Sequence, residues 1–185
     1  MGGAVIRKLT DKIYIIRVGK STLETTDYIA YMGSSESSEP IKILNIREIQ
    51  NNVKEGLTKL IEPLLNKKDM DLNNNFDKLI IFIFFLKVKL YLDYILKRSL
   101  NRIPLTEIAL LRKKDHILVY QIALYLKEND PDIVIPNKYQ KIILDPNIFS
   151  DLFRVVDDIT FRSSIYTVEK VFLTFIDKLN KFFQN

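Results

Sequence analysis

The stretch LIIFIFFL, residues 79–86, places eight apolar residues in a row near the middle of the chain. This is more apolar surface than one face of a surface helix needs, so the stretch predicts a helix that is buried on all sides. A membrane span requires about 20 apolar residues, and Lys87, Lys89 and Asp93 interrupt this one. We therefore predict a buried helix from about Phe76 to Ile103 and no membrane insertion.

Apolar residues also recur at helical spacing before and after this stretch. The pattern before it predicts a helix that begins after Asn45, which can cap it, and that ends or kinks at Pro63. The pattern after it predicts a helix or a broken pair over residues 106–128 and a short helix within 147–156. A last helix is predicted to begin near Ser164. Most of the chain is therefore expected to be helical.

The last predicted helix carries a seam of apolar residues whose spacing alternates between three and four. The members of this C-terminal seam are Ile165, Val168, Phe172, Phe175, Leu179 and Phe182. Such spacing is typical of packed helices, and the phenylalanines favour a bundle core over a long two-stranded coil. We predict that the C-terminal seam can also receive a partner helix.

The first 32 residues follow a different pattern. Three apolar segments, residues 4–9, 12–18 and 27–32, predict β-strands. The polar segment GSSESSEP, residues 33–40, follows them and predicts a linker. A small β element is therefore expected at the N-terminal end of the sequence.

The glycine distribution separates this element from the rest of the chain. All five glycines lie within the first 56 residues, and the remaining 129 contain none. Because close approach of backbone to phosphate needs glycine, a Rossmann or P-loop enzyme domain is not expected there. We predict a mainly α fold class, with a small N-terminal β element and polar linker over residues 1–40 and a helical bundle domain over residues 41–185.

The composition excludes several kinds of site. With no cysteine among 185 residues, the chain has no disulfide, thiolate metal site or cysteine nucleophile. His116 is the only histidine, which excludes histidine clusters for metal binding. The lack of cysteine favours an intracellular location, cytoplasmic in general and nuclear or nucleoid-associated for a replication protein. No cofactor and no metal ion is expected.

Two short motifs resemble ligand-binding loops. GKST, residues 19–22, resembles the end of a phosphate-binding P-loop, which needs a further glycine where this chain has Tyr14. DMDLNNN, residues 69–75, resembles the start of an EF-hand loop, which needs glycine where this chain has Asn74. Both matches are interpreted as accidental.

The basic residues are concentrated in one part of the chain. Between Lys87 and Asp115 there are eight basic and three acidic residues, so this window carries the whole net charge of +5. A basic helical surface favours contact with phosphate or with an acidic partner. The candidate contact residues are Lys87, Arg98, Arg102, Arg112, Lys113 and Lys114.

Two consecutive segments carry a family resemblance, FFLKVKLYLDYILKRSLNRI (84–103) and LTEIALLRKKDHILVYQIALYL (105–126). Together they resemble the helical domain of GINS replication-complex subunits, with Lys97, Arg98 and Arg102 at the basic positions of the long helix. The chain departs from the pattern because glutamate follows Thr106 directly and because basic residues are sparser in the first segment. The resemblance implies a non-enzymatic subunit that bridges replicative helicase and polymerase.

Three classes of function remain open. We predict a non-enzymatic interaction or scaffold subunit of a nucleic-acid-handling, replication-type assembly, joined to other protein subunits as a homo- or hetero-oligomer. The first alternative is a helical protein, viral or from a mobile element, that binds DNA or RNA directly. The second is a metal-dependent hydrolase that uses the carboxylates of Asp145, Asp157 and Asp158.

Overall fold

The computed structural model describes residues 3–19, 25–32, 42–96 and 115–184. Among these residues, four strands pair in chain order into one antiparallel sheet. They are β1 (Gly3–Lys8), β2 (Ile13–Gly19), β3 (Thr25–Tyr31) and β4 (Lys42–Asn45). The three predicted strands are confirmed. Strand β4 is an addition, and it extends the sheet beyond the predicted boundary at residue 40.

The turn between β1 and β2 sets the register of the first hairpin. The amide of Leu9 donates to the carbonyl of Ile13 at 2.9 Å, and the Thr10 hydroxyl accepts from the amide of Ile13 at 3.1 Å. In this register Ile6 lies opposite Ile16. Ile13 and Ile15 are buried on one face of β2, and a slip of one residue along β2 would move them into solvent.

The two faces of the sheet differ in burial because side chains alternate along each strand. Four residues on one face are buried: Ile13, Ile15, Ile29 and Tyr31. On the same face, Arg17 lies opposite Asp27 and donates two hydrogen bonds to its carboxylate, at 2.8 and 3.0 Å. The opposite face is partly exposed.

Six α-helices follow the sheet within the described residues. They are α1 (Ile46–Leu65), α2 (Phe76–Tyr94), α3 (Asp115–Asn129), α4 (Gln140–Leu144), α5 (Pro146–Val156) and α6 (Ile165–Lys181). A 3-10 turn at Asn137–Tyr139 precedes α4, and a π-helical turn at residues 95–96 follows α2. The chain is therefore mainly α with a small N-terminal sheet, as predicted.

Side-chain caps explain where three helices begin. Asn45 accepts from the amide of Arg47 at 2.8 Å at the start of α1, and Ser164 accepts from the amide of Thr167 at 3.2 Å at the start of α6. Asp145 accepts from two amides of α5, at 2.9 and 3.2 Å. Each bond satisfies an amide that has no partner within its own helix. The predicted starts at Asn45 and Ser164 are confirmed.

Helix α1 contains glycine at a position where a Cβ atom would displace a neighbouring aromatic ring. The ring of Phe161 lies against Gly56, and a Cβ atom there would overlap the Cε1 atom of that ring. Glycine inside a helix costs about 1 kcal/mol relative to alanine, and this close approach accounts for its presence. Helix α1 also continues to Leu65, two residues past Pro63, so the proline does not end it at once.

The chain divides into two compact units. Unit 1 comprises Met1–Val53 and Tyr91–Gln121 and includes the sheet. Unit 2 comprises Lys54–Leu90 and Ile122–Asn185. Each unit draws on two separated segments of the chain, so the division does not follow a single cut in the sequence.

The core of unit 2 is built around phenylalanine rings from three helices. Phe82 and Phe85 of α2 lie 5.4 and 5.2 Å from Phe175 of α6, measured between ring centroids. Phe85 also stacks on Phe149 of α5 at 4.7 Å. All four rings are fully buried. The stretch at 79–86 is so apolar because α2 packs against more than one helix here.

Candidate functional site

Lys87, a predicted contact residue, lies on α2 and forms an ion pair within unit 2. Its ammonium nitrogen is 2.6 Å from a carboxylate oxygen of Asp130, and the two side chains are only 13% and 9% exposed. The other carboxylate oxygen of Asp130 accepts from the amide of Asp132 at 3.0 Å. Lys87 is therefore mostly buried in an ion pair. Its charge is neutralised by Asp130 and is not displayed on the surface predicted to contact phosphate.

Lys89, two residues further along α2, is buried and also paired. Its ammonium nitrogen is 3.0 Å from a carboxylate oxygen of Asp157. The other five predicted contact residues lie outside the described residues: Arg98, Arg102, Arg112, Lys113 and Lys114. Residues 97–114 contain six basic residues and one acidic residue. Because Lys87 and Lys89 are compensated by carboxylates, this segment carries the net positive charge of the basic window.

Two of the three carboxylates considered for a hydrolase have roles in the fold. Asp145 caps α5, and Asp157 is the partner of Lys89. Asp158 lies exposed in the turn that follows α5. Within the ranges that the structure describes, no group of three histidine, cysteine, aspartate or glutamate side chains is placed to hold a metal ion.

The other motifs singled out in the sequence lie in ordinary structural positions. Gly19 is the last residue of β2, and the rest of GKST lies outside the described residues. In the 69–75 connector, the Asp71 carboxylate accepts from the side-chain amide of Asn74 at 2.7 Å. His116 is exposed in the first turn of α3.

The C-terminal seam packs largely within unit 2. Four of its six residues are buried: Val168, Phe172, Phe175 and Leu179. The ring of Phe172 lies 5.0 Å from that of Phe82 on α2. Ile165 is exposed at the start of α6, and Phe182 is half-buried at its end. Since its middle is filled by the chain's own core, we assign the C-terminal seam to the fold and not to a partner helix.

Among the described residues, three titratable groups have shifted pKa values, and each shift has a cause in the fold. A hydrogen bond to Asp11 raises the pKa of the Lys8 ammonium, and a hydrogen bond to Glu169 raises that of Lys67. Burial raises the pKa of the Tyr139 phenol, and the negative charge of Asp77 adds to the effect. The Tyr139 ring packs edge-on against another aromatic ring, at 5.4 Å between centroids. These groups therefore serve packing and surface pairing.

The partly exposed face of the sheet is the candidate interaction surface, which we call the open face. Its apolar members, from all four strands, are Ala4, Ile6, Tyr14, Ile16, Val18, Tyr28, Ala30 and Ile43, of which Ala30 is buried. Ile6, Val18 and Ile43 are 64%, 45% and 51% exposed, while Ile16 and Tyr28 are half-buried. Ile6, Ile16 and Tyr28 form one row across three strands. Contiguous apolar surface of this kind is typical of interaction sites.

The sequence contains a signal for the open face that the strand predictions did not use. A strand with one buried and one solvated face alternates between apolar and polar residues. Residues 4–6 and 13–16 are instead apolar at consecutive positions. Both faces of β1 and β2 therefore carry apolar side chains, yet in the structure β2 is buried on one face only and residues 4–6 of β1 are exposed on both faces.

The chain matches no protein-family model, no curated protein and no solved structure. The resemblance to GINS subunits therefore stays a prediction. Within the described residues, no helix combines the length and the apolar character that crossing a membrane requires.

Proposed function

We propose that the protein is a non-enzymatic interaction subunit that binds another protein through the open face of its sheet. The exposure of Ile6, Val18 and Ile43 on one face carries this proposal. Fully burying an aliphatic side chain contributes about 1.5–3 kcal/mol, so three half-exposed side chains supply about 3 kcal/mol together. Aliphatic residues that are exposed singly are normal, whereas a contiguous group favours a protein interface.

The assembly that we propose handles nucleic acid. The support is electrostatic: the net positive charge lies in residues 97–114, while the neighbouring Lys87 and Lys89 are paired within the fold. Basic residues that lack nearby acidic residues in sequence are typical of segments that contact phosphate. The replication-type role implied by the GINS resemblance, an intracellular location and a bundle arrangement of the helices belong to the same proposal.

The first test of this function is the variant Val18→Lys. Because Val18 is already exposed, we expect the free energy of unfolding to change by less than about 0.5 kcal/mol. We expect the affinity for the protein partner to fall at least tenfold, because a charge would be buried in an apolar contact. The measurement is the dissociation constant for the partner that co-purifies with the wild-type chain.

Leu173→Lys is the matched control, since Leu173 is 52% exposed and lies on α6 in unit 2. It should bind the partner with wild-type affinity. If Val18→Lys binds the partner with an unchanged dissociation constant, the open face is not the binding surface.

Direct binding of nucleic acid is the second candidate function, favoured by the charge of residues 97–114. We expect the affinity for a DNA duplex to fall as salt rises, and the triple change of Arg112, Lys113 and Lys114 to glutamine to flatten this dependence. Each lost phosphate contact lowers the log–log slope by about 0.9. The control changes three exposed lysines elsewhere to glutamine: Lys54, Lys59 and Lys68. Equal slopes for the two triple variants would rule out residues 112–114 as the contact.

A further inference from the structure

Strand β1 forms one edge of the sheet, since β2 is its only neighbour among the described strands. In an antiparallel ladder, residues that bond to the neighbouring strand alternate with residues that do not. The bond between Leu9 and Ile13 fixes the phase of this alternation. The amide and carbonyl groups of Ala4, Ile6 and Lys8 therefore point away from β2, toward the outer edge.

This edge has few of the features that usually protect edge strands. Such strands are typically short, bulged, interrupted by proline or covered with charge. The six residues of β1 contain no proline, and their register with β2 is continuous. Residues 4–6 are exposed on both faces of the strand. The basic residues, Arg7 and Lys8, lie at one end, and Lys8 is paired with Asp11 at 2.8 Å.

We propose that β1 pairs with β1 of a second copy of this chain, antiparallel about a two-fold axis at Ile6. The outward-pointing amide and carbonyl groups of Ala4, Ile6 and Lys8 determine the register between the two β1 strands. Ile6 then bonds to Ile6 of the second copy, and Ala4 bonds to Lys8 of the second copy. This register bonds every outward amide and carbonyl group of β1 and joins the two sheets into one.

The charges of β1 favour a second copy in this orientation. Two-fold antiparallel pairing places Arg7 opposite Val5 of the second copy and Lys8 opposite Ala4, so no like charges face each other. Parallel pairing would instead bring the basic ends of both strands together, which is destabilising. The other edge of the sheet, β4, has four residues and runs directly into α1, so it offers a shorter ladder.

This inference does not rest on the proposed function, because the backbone edge of β1 and the open face are different surfaces. The test is sedimentation equilibrium of the full chain over a range of concentrations. We expect a dimer of twice the 21.7 kDa chain mass. Ile6→Pro should weaken dimerisation at least tenfold while preserving the fold, because proline is tolerated at an edge where its missing N–H would face solvent.

Ile6→Lys is a second variant in case proline disturbs the strand, and it should weaken the dimer because two lysines would meet at the axis. Ile43→Lys is the matched control. Ile43 is similarly exposed on the same sheet face but lies on β4. It should leave the dimer intact, even where it reduces binding of an open-face partner.

Single cysteines test the register, because the natural chain has none. Bonded residues of an antiparallel pair have Cα atoms about 5.5 Å apart, within the range of a disulfide. Ile6→Cys should therefore form a disulfide-linked dimer faster than Val5→Cys, and Ile43→Cys should not. A monomeric wild-type chain, a dimer that survives both Ile6→Pro and Ile6→Lys, or faster cross-linking at Ile43 would each overturn the proposal.

Discussion

Replacing Phe175 by alanine will lower the free energy of unfolding by about 3–5 kcal/mol, the cost of emptying a buried phenylalanine site. The ring is fully buried, and its centroid lies 5.4 Å from that of Phe82 and 5.2 Å from that of Phe85. Its removal leaves a cavity beside the rings of Phe82 and Phe85, whose positions are fixed by α2. Chemical denaturation of the purified chain measures the change.

Two further variants make this result specific. Leu173→Ala, an exposed position on the same helix, should change the free energy of unfolding by less than about 0.5 kcal/mol. Phe175→Leu should lower the free energy of unfolding by less than Phe175→Ala does. It can therefore still be measured if the alanine variant does not fold. If Phe175 were instead an exposed contact for a partner helix, its replacement would barely change the free energy of unfolding of the isolated chain.

The second large effect is expected at the ion pair between Lys87 and Asp130. Lys87→Met keeps most of the side-chain volume and leaves the mostly buried Asp130 carboxylate without its cation. Breaking a buried pair in this way costs about 3–5 kcal/mol, and we expect a loss of about 3 kcal/mol here because both groups keep slight exposure. Chemical denaturation again measures the loss.

The double variant Lys87→Met, Asp130→Asn should recover most of this loss. Asparagine removes the unpaired charge and can still accept from the amide of Asp132, as Asp130 does. Lys59→Met serves as the control, because Lys59 and Glu55 form an exposed i,i+4 pair that contributes less than about 1 kcal/mol. If Lys87→Met is stable but binds nucleic acid more weakly, Lys87 contacts phosphate and the structural role proposed for it is wrong.

The helical part of the fold was predictable because its signals are local and strong. The apolar run at 79–86 requires burial on all sides, and Asn45 and Ser164 are capping residues directly before apolar periodicity. Strand β4 was not predicted. Its four residues, KILN, are too few to show alternation, and it forms only by pairing with β3.

The roles of the predicted contact residues were less predictable than the fold because they depend on contacts between distant residues. Lys87 and Asp130 are 43 positions apart, and no local pattern indicates that they pair. The same holds for Lys89 and Asp157, 68 positions apart. Spacing along α6 correctly grouped Phe172 and Phe175 on one side of the helix, but the spacing is the same for an internal core and for a partner interface.

The role of the open face can be tested by site-specific photo-cross-linking inside the native cell. A photoreactive residue at Val18 samples the open face, and one at Leu173 samples a comparably exposed apolar position on α6. We predict that Val18 yields a cross-link to one defined heterologous protein and that Leu173 does not. The same cross-links from both positions, or none from Val18, would contradict an interaction role for this surface.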